Sequence, residues 1–212
     1  MSDLGTLQDY LRFTVTLLAV LDPFLAVPIF LSVTAGRDPR SRNWLVNAVT
    51  TTVFLVLAGA AVFGEGLLRL VGASLPAFQV GGGLVLLLMA LSMLNAEAGQ
   101  IRQSPEEAEE LESGERFSVV PLAVPLLAGP GAISTTIIAG QSGGPAHIGA
   151  LLACIALVTL IQWTVLRLAD RVGARMGTTG LNIATRLLGL LLAALAIEMM
   201  AGGLKALLPG LA

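Results

Sequence analysis

The sequence predicts an all-α membrane protein with six transmembrane helices, arranged as two inverted repeats of three helices. Hydrophobic residues make up 55% of the 212 residues and charged residues only 12%, about half of the roughly 25% that soluble domains carry. The chain also contains six apolar runs, each close to the about 20 residues that a helix needs to cross a bilayer. Because these runs are continuous rather than alternating, they predict helices and not the strands of a membrane barrel.

The six predicted spans are separated by Gly-rich or Arg-bearing links. In chain order they are Leu11–Val33, Trp44–Phe63, Leu75–Leu94, Val119–Ala139, Ile148–Leu166 and Ile183–Leu207. The first three belong to a repeat over residues 1–97, and the last three to a repeat over residues 118–212. Residues 98–117 form an acidic loop between the repeats. We interpret this loop as a solvated connector, with a partner-docking segment as the alternative.

Lysine and arginine are unequally distributed between the two ends of the predicted helices. Nine of the twelve lie on what we call the arginine-rich side, namely Arg37, Arg40, Arg42, Arg102, Arg116, Arg167, Arg171, Arg175 and Arg186. Only Arg12, Arg69 and Lys205 lie on the opposite side. Because positive residues favour the cytoplasmic side of a membrane, the arginine-rich side is predicted to be cytoplasmic. This orientation places both termini of the multi-pass protein outside.

The two halves of the chain are weakly similar to each other. A shift of 107 residues aligns Pro23 with Pro130, Gly36 with Gly143, Thr52 with Thr159, Gly66 with Gly173 and Gly82 with Gly189. Since each half has three spans, the second half must enter the membrane from the opposite side. That arrangement is an inverted repeat, which is typical of secondary transporters.

Two prolines predict breaks inside the first and fourth spans. Asp22-Pro23 combines a helix N-cap with a proline at the first helical position, and Gly129-Pro130-Gly131 lies at the matching place in the second half. Irregular backbone near the middle of a bilayer is tolerated only inside protein or along a cavity. The two half-helix N-termini therefore predict a site for an anionic group. The alternative is that Asp22 only caps its own half-helix and the prolines only kink.

Other polar residues in the spans complete the predicted site. The binding candidates beside the breaks are Asn47, Thr51, Ser134 and Thr135, with Thr50, Thr52, Thr136 and Gln162 as further polar residues. For any single hydroxyl, a hydrogen bond between helices is the alternative. Asp22 and Glu198 are the candidates for proton coupling, because ionisable residues inside membranes commonly relay protons. For Glu198 the alternative is an interface position or a pair with Lys205.

The remaining reactive residue types are few. His147 lies in a short Gly/Pro-rich segment between two spans and is predicted to be an exposed loop residue. With one histidine and one cysteine, the chain is not expected to build a transition-metal site. We therefore predict no metal and no cofactor.

Three segments carry a resemblance to a known family. They are Leu21-Asp22-Pro23, the segment LPAFQVGG at 75–82 and the segment VPLAVPLLAGPGAI at 120–133. Through them the chain resembles the MarC family (UPF0056) of bacterial and archaeal inner-membrane proteins, which includes the small-neutral-amino-acid transporters called SnatA. The resemblance covers nearly the whole chain and implies the six-helix inverted-repeat fold. Gln79 is a small departure, since many members carry arginine there.

Together, the residues and the resemblance predict a secondary transporter of small neutral amino acids such as glycine, alanine or serine, and not an enzyme. The substrate carboxylate would bind the N–H groups of Gly129–Gly131, while Asp22 would take its ammonium group. The expected partners are the lipid bilayer and this small-molecule substrate, with no nucleic acid; a homo-oligomer stays open. One alternative is a membrane enzyme acting on lipid phosphates, although the fourth span lacks the arginine and paired carboxylates of phosphate chemistry. The other is a channel or non-transporting scaffold.

Overall fold

The computed structural model describes residues 6–34, 36, 38–95, 128–141 and 143–208. Regular structure in these residues is entirely helical, without a strand. The described helices are α1 (Leu7–Leu21), α2 (Pro23–Val33), α3 (Pro39–Val71), α4 (Leu75–Leu94), α5 (Pro130–Gly140), α6 (Pro145–Arg167) and α7 (Ala169–Leu207). The predicted all-α membrane class is confirmed. The acidic loop 98–117 and the beginning of the fourth predicted span lie outside the described residues.

Five helical segments in the described part of the chain are long and apolar enough to cross a membrane. They are Leu7–Leu31, Pro39–Val71, Leu75–Leu94, Pro145–Arg167 and Ala169–Leu207. Each overlaps one of the predicted spans, and α4 has the predicted bounds. The fourth predicted span is described from Ala128 onward, and its helix α5 begins at Pro130. The count of six helices and the inverted repeat therefore stay predictions.

Local sequence signals set the ends of α3 and α4. Asp38 caps α3, because its Oδ2 accepts a hydrogen bond from the N–H of Arg40 at 3.2 Å. Gly72 ends α3 in the left-handed conformation, with a φ of 74°, which glycine adopts without steric cost. Ser74 then caps α4 by accepting from the N–H of Ala77 at 3.3 Å. α3 consequently extends beyond its predicted apolar span at both ends.

Glycines allow α4 and α7 to pack closely. A Cβ atom added to Gly83 would lie 2.9 Å from the carbonyl oxygen of Ala196, and one added to Gly203 would lie 2.7 Å from that of Pro76. The two contacts run in opposite directions along the helices, so α4 and α7 are antiparallel. Small residues at such positions let helix backbones approach in membranes. Gly83 and Gly203 therefore allow the backbones of α4 and α7 to approach each other.

Two ion pairs mark the two ends of the helix bundle. At one end, Arg42 Nη2 lies 2.9 Å from Asp170 Oδ2 and joins the start of α3 to the start of α7. At the other end, Arg12 Nη1 lies 3.7 Å from Glu198 Oε1 and joins the beginning of α1 to the last third of α7. Arg167 lies at the same end as Arg42, which we call the arginine-rich end. Which side of the membrane this end faces stays a prediction.

Candidate functional site

Asp22 forms the first helix break, between α1 and α2. Its φ of 40° and ψ of 76° lie in the left-handed region, where non-glycine residues are uncommon. The Asp22 N–H donates to Leu18 O at 3.1 Å and closes α1, while its Oδ1 accepts from the N–H of Leu25 at 3.2 Å and caps α2. Pro23, which has no N–H to satisfy, takes the first position of α2. The break predicted at Asp22-Pro23 is thus present, and the carboxylate does cap its half-helix.

The Asp22 carboxyl group is fully buried. Its exposed fraction is 0%, and the neighbouring Val20, Leu21 and Ala26 are at most 1% exposed. Insertion scales give a cost of about 2.5–3.5 kcal/mol for a charged aspartate at the centre of a transmembrane helix. Asparagine caps a helix about as well without that cost. The cap alone therefore does not explain why an aspartate rather than an asparagine stands here.

The second predicted break is described from Ala128 onward, and these residues contain no acidic side chain before α5 begins at Pro130. Gly129 is the N-cap of α5, makes no side-chain cap bond, and is followed by Pro130 at the first helical position. The N–H groups of Ala132 and Ile133 donate to Gly129 O at 3.0 and 3.1 Å. Pro130 has no N–H, so the N–H of Gly131 is the backbone donor in this first turn that takes no part in these two bonds. This donor lies at the partially positive end of the helix dipole.

Gly131, at the start of α5, lies close to the last turn of α1 before Asp22. A Cβ atom added to Gly131 would lie 3.4 Å from Cγ1 of Val20, which is two residues before Asp22. The same atom would lie 2.7 Å from Sδ of Met89 and 2.8 Å from Cδ2 of Leu86, both on α4. Glycine therefore allows the start of α5 to approach α1 and α4 closely. An acidic break and a helix N-terminus share one region of the protein interior.

Buried hydroxyl groups follow the second break on α5. Ser134 Oγ and Thr135 Oγ1 donate to Gly131 O at 3.0 and 2.8 Å, and Thr136 Oγ1 donates to Ala132 O at 2.8 Å. All three residues are buried. Their protons serve their own helix, while the hydroxyl oxygens keep the capacity to accept. The predicted residues Ser134 and Thr135 thus lie within two turns of the second break.

Three predicted site residues lie on exposed faces instead. Asn47 Oδ1 accepts from Trp163 Nε1 at 2.8 Å in a contact between α3 and α6. Thr51, one turn further along α3, lines a cavity of about 340 Å³ between the same two helices. The side chain of Glu198 is 69% exposed and pairs with Arg12. These residues are not brought to the breaks.

In the described ranges there is also no cluster of three or more His, Cys, Asp or Glu that could hold a metal ion.

His147 is a buried helical residue, so the expectation of an exposed loop residue is wrong. Gly144 caps α6 and Pro145 begins it, which puts His147 in the first turn with 5% exposure. Its Nε2 lies 2.9 Å from Ala139 O and its Nδ1 lies 2.8 Å from the Tyr10 hydroxyl. Because a carbonyl only accepts, Nε2 carries a proton, and in the neutral ring Tyr10 donates to Nδ1. The imidazole thereby joins α1, α5 and α6 at the end opposite the arginines.

Gln162 is the most unusual buried polar residue of α6. It is 0% exposed, and neither its Nε2 nor its Oε1 has a hydrogen-bond partner in the part of the chain that the structure describes. Leaving a buried polar group unpaired costs about 1–3 kcal/mol. One turn later, Leu166 lines a cavity of about 260 Å³ that also contains Arg42, Arg167 and Asp170. We call this space the Arg42 cavity. The sequence analysis named Gln162 only as one of several polar residues, because an amide without a hydrogen-bond partner can be recognised only in the packed structure.

Comparisons with known proteins agree on one family along nearly the whole chain. Residues 7–208 match the family described as MarC family integral membrane protein. The UPF0056 membrane protein YhcE of Escherichia coli is 35% identical over 203 residues, covering 95% of this chain and 94% of the relative. YvbG of Bacillus subtilis is 35% identical over 92% of this chain and 93% of its own length. A UPF0056 membrane protein of Methanocaldococcus jannaschii is 33% identical over 94% and 97%. No solved structure matches the chain.

Proposed function

The chain belongs to the MarC family of integral membrane proteins, and we propose that it is a secondary transporter of small neutral amino acids such as glycine, alanine and serine. The observation that carries this proposal is the fully buried carboxylate of Asp22 at a helix break, beside the N-terminus of α5. A membrane protein retains a buried charge at such a cost mainly where the charge has a function.

A zwitterion fits the two breaks because they offer opposite charges. Asp22 supplies a negative carboxylate for an ammonium group. The N–H of Gly131 and the dipole of α5 supply a partially positive terminus for a carboxylate. Since the substrate carries both charges, it can neutralise both sides of the site at once. A simple cation or a simple anion would leave one side unmatched.

The packing around the breaks favours a small side chain. Gly129, Gly131 and Ala132 form the start of α5, and Ala26 and Ala128 are buried close in sequence to the two breaks. Because Gly131 already packs closely against Met89, Leu86 and Val20, an amino acid bound there would have little room for a large side chain. Glycine, alanine and serine meet that limit, and aromatic or long aliphatic amino acids do not.

Proton coupling through Asp22 is part of the proposal. A buried carboxylate that binds a proton or an ammonium group alternately would couple the two movements. Glu198 is a weaker coupling residue, because its side chain is largely exposed and already pairs with Arg12. The proposal includes no chemical reaction and no cofactor. It takes the arginine-rich end as cytoplasmic, following the positive-inside rule.

Uptake by proteoliposomes tests the proposed function. Purified protein in liposomes should take up labelled glycine with saturation, faster with an imposed pH gradient than without one. Unlabelled alanine and serine should compete, and phenylalanine should not. Empty liposomes provide the control. A lack of saturable uptake for glycine, alanine and serine alike would rule out the proposed substrate class, and linear uptake without saturation would favour a channel.

A further inference from the structure

Gln162 lies on α6 at a depth between the Asp22 break and the Arg42 cavity. Gln162 lies on the buried face of α6 with Val158 and Leu166, and α6 packs against α1, α2 and α3. The cavity is lined by Leu166 and by Phe30 of α2. Phe30 is about 10 Å along α2 from Pro23, and Gln162 is about 6 Å from Leu166 toward the membrane interior, at 1.5 Å per residue. Gln162 therefore lies at a depth between the cavity and the Asp22 break.

Its amide lacks a protein partner at that depth. Both polar atoms are inaccessible and find no hydrogen bond within the described ranges. Buried amides are nearly always hydrogen-bonded, and an unpaired one signals a bound water, an ion or a ligand. The residue is fully buried rather than half-exposed, so bulk water does not supply the missing bonds in this conformation. A polar molecule that passes through the interior would supply them.

The amide is chemically suited to a zwitterion. Nε2 donates two hydrogen bonds and Oε1 accepts two, so one side chain can bind a carboxylate and an ammonium group. Being neutral, it does so without trapping either charge. The Arg42 cavity beyond it is lined by both positive and negative side chains, since Arg42 pairs with Asp170 and Arg167 also lines it. Polar groups thus lie at the Asp22 break, at Gln162 and at the arginine-rich end.

We infer that Gln162 lies on the passage between the helix breaks and the Arg42 cavity, and that its amide hydrogen-bonds the amino acid as it passes. This inference rests on the proposed transport function. According to this inference, α6 contributes a substrate contact between the Asp22 break and the arginine-rich end. The Arg42 cavity is then the opening of the passage at that end.

Thiol labelling tests the passage independently of transport. In a Cys154→Ser background, which removes the single cysteine, Gln162→Cys should react with a small water-soluble methanethiosulfonate in detergent micelles. Leu192→Cys is the matched control, because Leu192 is also 0% exposed but belongs to α7. We expect Gln162→Cys to react at least tenfold faster than the control. Saturating glycine should slow the reaction at least threefold, and phenylalanine should not.

Substitution by leucine tests the substrate contact. Gln162→Leu removes the amide and should leave the melting temperature unchanged or higher, while it raises the KM for glycine uptake at least tenfold. Gln141→Leu is the control, since Gln141 Nε2 is likewise buried without a partner among the described residues but follows α5 at the opposite end of the bundle. That variant should keep the KM within twofold.

The outcomes separate the inference from the proposed function. Labelling of Gln162→Cys no faster than Leu192→Cys would overturn the passage even if the wild type transports glycine. A lower melting temperature with an unchanged KM in Gln162→Leu would show a structural role and overturn the contact. The third outcome is that Gln162→Cys reacts rapidly, glycine does not slow the reaction, and the wild type does not take up glycine. This outcome would contradict the proposed function, and the substrate contact that depends on it would be rejected as well.

Discussion

The helices that begin at the two predicted breaks, α2 and α5, each have a proline in the first position, but their N-termini are capped differently. At the first break, the Asp22 side chain caps α2 and its backbone adopts a left-handed conformation. At the second, Gly129 offers no side chain, and its carbonyl oxygen accepts only from the N–H groups of Ala132 and Ile133. The first break therefore brings a negative charge into the interior, and the second brings a bare helix terminus. The difference shows how one site can present a negative charge and a partial positive charge with a single ionisable residue.

Loss of the charge at the first break has the largest expected effect. Asp22→Asn keeps a capping oxygen and a residue type that tolerates the left-handed conformation, so the fold should be retained. The partner of a buried charge is worth several kcal/mol, and we expect glycine uptake to fall about 100-fold. Initial rates in proteoliposomes, with melting temperature measured in parallel, check this expectation.

Asp22→Ala serves as the control for capping. It removes both the charge and the cap, and should lose about 1–2 kcal/mol of stability in addition to activity. If Asp22→Asn transports glycine within threefold of the wild-type rate, Asp22 is a cap and the contrast between the two breaks has no functional meaning.

Crowding the second break should have the next largest effect. A methyl group at Gly131 would lie within 3 Å of Met89 and Leu86, and such overpacking costs about 1–3 kcal/mol. It would also displace the N–H that we assign to the substrate carboxylate. Gly131→Ala should therefore raise the KM for glycine about tenfold, as measured by concentration-dependent uptake.

Gly149→Ala provides the matched comparison on α6. A Cβ atom there would meet nothing within 4 Å, and alanine favours a helix over glycine by about 1 kcal/mol. This variant should melt at the same or a higher temperature and transport normally. An equal loss of uptake in the Gly131 and Gly149 variants would indicate a general sensitivity to glycine replacement.

The sequence predicted the break at Asp22-Pro23 and the start of a helix at Pro130 better than it predicted the surroundings of individual side chains. Asp22-Pro23 and Gly129-Pro130 act through backbone chemistry that is local, so their effect follows from the residues alone. His147 was misjudged because Gly144-Pro145 begins a helix rather than extending a loop, and because its burial depends on Tyr10, which is 137 residues away. Asn47 and Thr51 belong to an apolar span, yet the periodicity of α3 did not reveal that they lie on its exposed face.

The hydroxyl groups behind the second break should matter less than either break. Ser134 and Thr135 both donate to Gly131 O, and hydroxyls that bond to their own helix contribute little to its stability. Replacing Thr135 by valine keeps its shape and removes the hydroxyl. We expect a change in glycine uptake of about threefold or less and a change in stability below about 1.5 kcal/mol. A tenfold loss of uptake with an unchanged melting temperature would instead make Thr135 a direct substrate contact.

A carboxylate outside both breaks should have the smallest effect. Glu198 and Arg12 form an exposed pair at 3.7 Å, and exposed ion pairs contribute about 0–1 kcal/mol. Glu198→Gln should therefore transport glycine at the wild-type rate and keep its response to a pH gradient, when measured beside Asp22→Asn in the same liposomes. If the glutamine variant instead loses the pH response while uptake without a gradient persists, proton coupling belongs to Glu198. The charge at the first break would then serve substrate binding alone.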